Sequence, residues 1–161
     1  MNIVINIVDM AIRNIVKYPN KMLQEVSVEV KYIDKKIKKL VDDMFETMYQ
    51  NNGIGLAAVQ IGVLKRVIVI DIENEGKFAL INPKIIGFSE NKTIMREGCL
   101  SVPNGYYSVE RPEKVVVTYT DLDGKENKIE ASGLLSKCLQ HEIDHLNGHT
   151  IVDRGTKDDE K

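Results

Sequence analysis

Tryptophan is absent from this chain, cysteine occurs twice and proline four times. Two cysteines, Cys99 and Cys138, are too few for a disulfide scaffold, and a reducing compartment leaves both thiols available as metal ligands or nucleophiles. An excess of either charge is missing as well. Against 24 Asp and Glu stand 22 Lys and Arg, a formal net charge of -2, which removes the electrostatic case for nucleic acid as the main ligand. No apolar stretch reaches the length of a membrane span: the N-terminal segment is broken by Asn2, Asn6, Asp9, Arg13 and Asn14, and it has no basic lead as a secretory signal would. With Arg13 alone it also lacks the Arg-rich character of a transit peptide, so the cytosol is expected ahead of an organelle. What remains is 161 residues, read as one domain over 1–161 with one core and one site.

Periodicity places the elements. Ile3, Val4, Ile7, Val8, Ala11, Ile12, Ile15 and Val16 repeat roughly every fourth residue, which suits an amphipathic helix, while their β-branched content suits a strand. Tyr18-Pro19-Asn20 breaks the chain. Asp34 is expected to cap a helix that buries Ile37, Leu40, Val41, Met44, Phe45 and Met48 and stops near Asn51-Asn52-Gly53. Arg66 to Asp71 reads as a buried strand, and Phe78 to Ile81 as another that stops before Pro83. Lys114 to Thr120 and Asn127 to Glu130 flank Asp121-Leu-Asp-Gly124, the chemistry of a hairpin turn. After Gly133, Leu134, Leu135, Cys138, Leu139, Glu142, Ile143 and Leu146 follow a helical period, and residues 155–161 form a polar tail with nothing to bury.

That last helix carries His141-Glu142-Ile143-Asp144-His145. Its two imidazoles fall one turn apart on one face, able to ligate one ion while Glu142 addresses a water. A catalytic site of this kind has three protein ligands, and the protease patterns do not supply the third. Six residues past His145 stands Ile151 rather than a histidine, although Gly148 matches the metzincin spacing and His149 comes two residues early. The only glutamate downstream is Glu160, in the polar tail. Cys99 and Cys138 are the soft candidates. Cys138 lies where the apolar stripe continues and reads as a small buried residue, part of a wall. Cys99, in Arg96-Glu97-Gly98-Cys99-Leu100-Ser101-Val102-Pro103, would complete a Cys-His-His set or stand as an ordinary buried cysteine, with Pro103 ending the local structure.

Three separated segments, Gly53-Ile-Gly-Leu-Ala-Ala-Val-Gln60, Glu97-Gly-Cys-Leu-Ser101 and Gln140-His-Glu-Ile-Asp-His145, resemble in order and spacing the three signature motifs of peptide deformylases. The likeness runs from about Ile12 to about Arg154. It implies an α+β fold, with antiparallel or mixed β-sheets around a central helix bearing His141, Glu142 and His145. It implies removal of the formyl group from N-terminal formyl-methionine of newly made polypeptides, releasing formate. Cys99, His141 and His145 match the family's metal ligands, Glu142 its general acid and base, and Gln60 with the Leu100 N–H its donors to the developing oxyanion. Gly53 and Gly55 give a flexible turn in the stretch that holds the peptide. Ile54, Met95, Leu134 and Cys138 are candidates for the methionine pocket, and Glu97 with Arg111 for a pair that orients the ligands. The implied cofactor is one divalent metal ion, Fe2+ natively, with Zn2+, Ni2+ or Co2+ also suited to the donors. A peptidase, or a relative that binds metal or peptide without turnover, is the competing expectation.

The sequence departs from the family at both ends and in one loop. Asn104-Gly105-Tyr106-Tyr107 stands where many members carry an Arg that contacts the substrate backbone. Bacterial members commonly carry a further C-terminal helix, linked to ribosome docking, after the Asp-Arg seen here as Asp153-Arg154; its lack resembles virus-encoded forms and leaves the ribosome an open partner. A monomer in a bacterial or virus-infected bacterial cytosol, bound to no membrane and no nucleic acid, is expected. Residues 1–10 read as an extension ahead of the usual start. A protein beginning at Met10 is therefore expected to keep full formate release, and a folded but inactive Met10-start protein would contradict this.

Overall fold

The computed structural model describes residues 11–158. The apolar run at 67–72 explains its layering. In the sequence Val-Ile-Val-Ile-Asp-Ile, alternate side chains point to opposite faces, and here both faces are covered: Val67 and Val69 join one apolar cluster, Ile68, Ile70 and Ile72 another. A strand enclosed on both sides reads as a continuous apolar run rather than an alternating one.

Five strands make the larger sheet: β1 (Gly55–Ala57), β2 (Val67–Ile72), β3 (Gly76–Phe88), β6 (Lys114–Thr120) and β7 (Glu126–Ser132), in the order β1-β2-β3-β6-β7. β4 (Lys92–Cys99), β5 (Val102–Pro112) and β8 (Thr156–Lys157) make a second sheet in the order β4-β5-β8. Every strand pair is antiparallel. Helix α1 (Lys35–Gln50) covers one face of the larger sheet. Helix α2 (Gly133–Leu146) covers the other and also contacts β5, so it lies between the two sheets as the central helix. A short α3 (Ile151–Arg154), capped by Thr150, follows.

The expected helix boundaries hold. Asp34 accepts from the Ile37 N–H at 3.0 Å, all six residues of the α1 stripe are buried, and Asn52 takes φ 58° just beyond its end. In the hairpin β6–β7, Gly124 takes φ 80°. Two expectations, both at prolines, fail. The strand at Phe78 does not stop before Pro83 but runs on to Phe88, because the pairing with β6 breaks register between Ile81 and Lys84 and a bulge needs no N–H from proline. Asn82, at φ 51° in that bulge, accepts from the Val30 N–H and donates to the Val30 carbonyl, both at 2.9 Å. Pro103 likewise sits inside β5 instead of ending the local structure. The polar tail adds β8 to the edge of β5, where backbone pairing with Tyr107 and Ser108 needs no apolar side chain.

Of the N-terminal repeat, residues 3–10 lie outside the described residues, and 11–17 are neither helix nor strand. They form an arm whose amides find partners one by one. Ala11 N–H donates to Asp43 Oδ1 and Arg13 N–H to Thr47 Oγ1, both at 2.9 Å, and the Arg13 guanidinium pairs with Asp43 at 2.7 Å. Burial raises the Asp43 pKa, but the Ala11 amide and the Arg13 bond and charge outweigh it and hold the carboxyl below its usual value. A depressed carboxyl contributes stability above the unfolded-state value of about 3.9 and loses it as pH falls through the lower native value. Asp43→Ala is expected to cost about 2 kcal/mol at pH 7. Urea midpoints should show that difference shrinking once pH drops below about 3.9.

Candidate metal centre

One turn of α2 sets His141 and His145 on the same face, and the end of β4 brings Cys99 to them. Sγ of Cys99 and one ligating nitrogen from each histidine lie within 4.8 Å of one another, with Cys99 Sγ 3.4 Å from His145 Nε2. The imidazoles meet edge to face at 5.1 Å between centroids. A break in the β4–β5 ladder aims Cys99. Pairing passes from Glu97 opposite Tyr107 to Cys99 opposite Val102, so residues 103–106 bulge outward and the strand end turns toward the helix.

Behind the ligands lies a buried charge network. His141 Nδ1 donates to Glu97 Oε1 at 2.9 Å, which leaves Nε2 as the nitrogen that faces Cys99. Arg111 clamps Glu97 with two bonds, at 2.7 and 3.1 Å, and reaches Asp144 of α2 at 2.8 Å. Burial pushes the Glu97 pKa up, but His141 and Arg111 more than offset it and hold the carboxylate ionised. The two histidines split. Burial opposes a proton on His141, yet the Glu142 charge and bonds to Cys99 and Glu97 raise its pKa well above the usual value. Burial, and then the His141 charge, drive His145 well below it. An ion held by both histidines would require His141 Nε2 free of a proton, while Nδ1 keeps the one it donates to Glu97.

Glu142, the next residue along α2, brings its Oε2 to 4.0 Å from His141 Nε2. Burial first, and the Glu97 charge after it, raise its carboxyl to about 7. The glycines beside it are present for space rather than for flexibility, since neither takes a positive φ. A Cβ on Gly55 would stand 2.6 Å from Glu142 Oε2, and one on Gly53 2.8 Å from Leu100 Cδ1. Gln60, in the 3-10 turn Ala58–Ile61, has its amide locked: Oε1 accepts from the Ala57 N–H at 2.9 Å, and Nε2 donates to Ser101 Oγ at 3.0 Å while lying 3.6 Å from Cys99 Sγ.

Two buried polar atoms here, Glu142 Oε1 and His145 Nδ1, have no hydrogen-bond partner among the described residues. A converging thiolate and two imidazoles are the donor chemistry of a borderline-soft divalent ion, and the orphan carboxylate oxygen beside them is a ready acceptor for water. The residues fit such an ion.

A cavity of about 940 Å³ opens over this cluster, and Gly53, Ile54, Gly55, Gln60, Glu97, Cys99, Leu100, Cys138, His141 and Glu142 line it. Cys138 is part of the wall as expected: burial pushes its thiol to about 12, which leaves it a neutral apolar group. Met95 and Leu134 are not among the lining residues. Met95 stands four strand residues from Cys99, ~13 Å, and Leu134 two helical turns from His141, ~10 Å. Leu134 is exposed. Sequence reasoning passed over Ser101, Asp144, Arg96, Tyr106 and Lys137. Ser101, which is buried, and Asp144, which is half-buried, stood inside the quoted motifs, so a polar residue within a motif was the available signal.

Comparison with known proteins agrees with this geometry. The polypeptide deformylase family model matches residues 12–161. A peptide deformylase of Rhizobium meliloti is 50% identical over 148 residues, 89% of this chain and 85% of that protein. The crystal structure of the Ehrlichia chaffeensis enzyme in complex with actinonin superposes with a TM-score of 0.89 at 47% identity, covering 92% of this chain and 91% of that one. A probable peptide deformylase from Synechococcus phage S-SSM7 superposes at 0.83 with 44% identity, covering 88% of this chain and 99% of that one. Together with the Cys-His-His cluster between β4 and α2, these matches place the chain in the polypeptide deformylase family.

Proposed function

We propose that this chain is a metallohydrolase acting on a linear amide, the N-formyl group of formyl-methionyl peptides, and that it works as a monomer and single domain in the cytosol. No helix among the described residues is long and apolar enough to cross a membrane. The observation that carries the reading is the position of Gln60 Nε2, 3.6 Å from Cys99 Sγ, beside a carboxylate and three convergent ligands. The HExxH peptidase patterns take a His or Glu as third ligand, where this cluster has Cys99.

Cys99 Sγ, His141 Nε2 and His145 Nε2 would hold the ion, Fe2+ on the family resemblance, with zinc, nickel or cobalt accepted by the same donors. Such an ion supplies Lewis acidity and makes water ionisable near neutral pH. The chain's own residues do the rest. Glu142 takes a proton as water oxygen bonds to the formyl carbon, and returns one to the nitrogen when the C–N bond breaks, so formate and a free amine leave. A carboxyl that burial raises toward neutrality suits both transfers. As the carbonyl oxygen becomes anionic, Gln60 Nε2 and the Leu100 N–H donate to it, and loss of one such donor typically costs ~2.7–4 kcal/mol of barrier. Ile54 and Cys138 supply apolar surface for the methionine side chain, and Gly53 and Gly55 admit the backbone.

Glu142→Ala, loaded anaerobically with ferrous iron, is expected to retain the metal and release formate ~10²–10⁴-fold more slowly. Metal analysis beside a formate assay with a formyl-Met peptide checks both halves; no turnover by the native protein with any of the four ions would refute the hydrolase reading, and cleavage of unformylated internal peptide bonds would favour the peptidase. Gly55→Ala is expected to lower kcat by at least ~10-fold with little change in Tm, since a carboxylate displaced by even 1 Å is a large loss in catalysis.

A further inference from the structure

The mouth of the cavity carries charge that the reaction does not use. Glu97 is consumed by Arg111 and His141, and Glu142 lies buried at the floor. Arg96 from β4 and Lys137 from α2 line the same cavity on two different walls.

Arg96 is held in place although its side chain is 65% exposed. Its guanidinium lies 4.2 Å from the centre of the Tyr106 ring, a cation–π distance. Its Nε meets Asp158 Oδ2 at 2.9 Å. Asp158 is itself fixed, accepting from Ser108 Oγ at 2.7 Å and donating its N–H to the Tyr106 carbonyl at 2.9 Å. Tyr106 lies over Gly98, where a Cβ would come within 3.1 Å of the ring. The ring, the carboxylate and the absent Cβ together orient a guanidinium at the rim with both terminal nitrogens directed to no other group among the described residues. An oriented Arg loses little freedom when it binds an anion, so it discriminates better than a free one.

A peptide whose formyl carbon sits at Glu142 must leave the cavity past this rim, at about 3.3 Å per extended residue. We propose that Arg96, positioned by Tyr106 and Asp158, is a specificity-determining residue that favours formylated peptides bearing an acidic side chain at the second, third or fourth position. The proposal rests on the deformylase reading above.

The test uses the full chain loaded with ferrous iron and formyl-Met peptides carrying Glu, Gln or Lys at each of those positions, with kcat/KM read from formate release. At one position Glu is expected to exceed Lys by about fivefold, mainly through KM, because exposed pairs are individually weak. The preference should shrink in high salt. Arg96→Gln is expected to bring the ratio close to one and Arg96→Lys to keep most of it; a ratio measured within one preparation is independent of the fraction folded. Equal rates for Glu and Lys at all three positions, or an acidic preference that survives Arg96→Gln, would overturn the proposal. The Gln peptides separate the two readings: turnover of these without an acidic preference refutes only the proposal, and no turnover of any peptide refutes both.

Discussion

The Glu97 carboxylate is the constraint on which the arrangement depends. It stands on β4, receives two bonds from Arg111 on β5 and one from His141 on α2. Arg111 goes on to Asp144 on the same helix. One buried anion thus fixes the spacing between the smaller sheet and the central helix, the distance across which Cys99 must reach its histidines. Buried charges are costly unless every partner is present, and removing one partner from such a set typically costs 3–5 kcal/mol. The same bond that anchors His141 through Nδ1 aims its Nε2, so the network serves packing and ligand geometry at once.

Space is the second constraint, and it is managed from the opposite side. Gly53 and Gly55 let Leu100 and Glu142 approach the strand closely, so the carboxylate and the cysteine loop press against β1 where any side chain would push them back. The N-terminal arm closes this wall from behind. Val16 N–H donates to the Gln60 carbonyl at 2.7 Å and Tyr18 N–H to the Ser101 carbonyl at 2.8 Å. Both segments that carry the expected oxyanion donors are therefore tied to one extended stretch, itself pinned to α1 through Asp43 and Thr47.

Much of this was legible in the sequence because the determinants are local or repeat with a clear period. The Asp34 cap, the α1 stripe, the continuous apolar run of β2 and the Asp-Gly hairpin follow from short-range chemistry. The Cys-His-His set and Gln60 were legible only jointly: the helix motif alone was compatible with peptidases, and three spaced motifs were needed to name the third ligand. Proline misled twice. Pro83 and Pro103 stop a regular ladder, but both lie where the pairing has already slipped, and a slip depends on the partner strand rather than on neighbours in sequence. β8 was missed because edge pairing uses backbone alone.

Gln60 shows why position in space had to be added to residue type. An amide offers a donor and an acceptor end, and either could have faced the cysteine. Here the acceptor is taken by the Ala57 N–H inside its own turn, so only the donor end can turn toward Cys99 and Ser101. Burial makes that choice firm, because an amide flipped the other way would set its NH2 against the Ala57 N–H and leave two buried donors without acceptors. A side chain that can only donate suits an oxygen that gains negative charge during reaction and has little to offer one that loses it. A hydrogen bond between residues three apart thus fixes which end of the Gln60 amide faces Cys99 and Ser101.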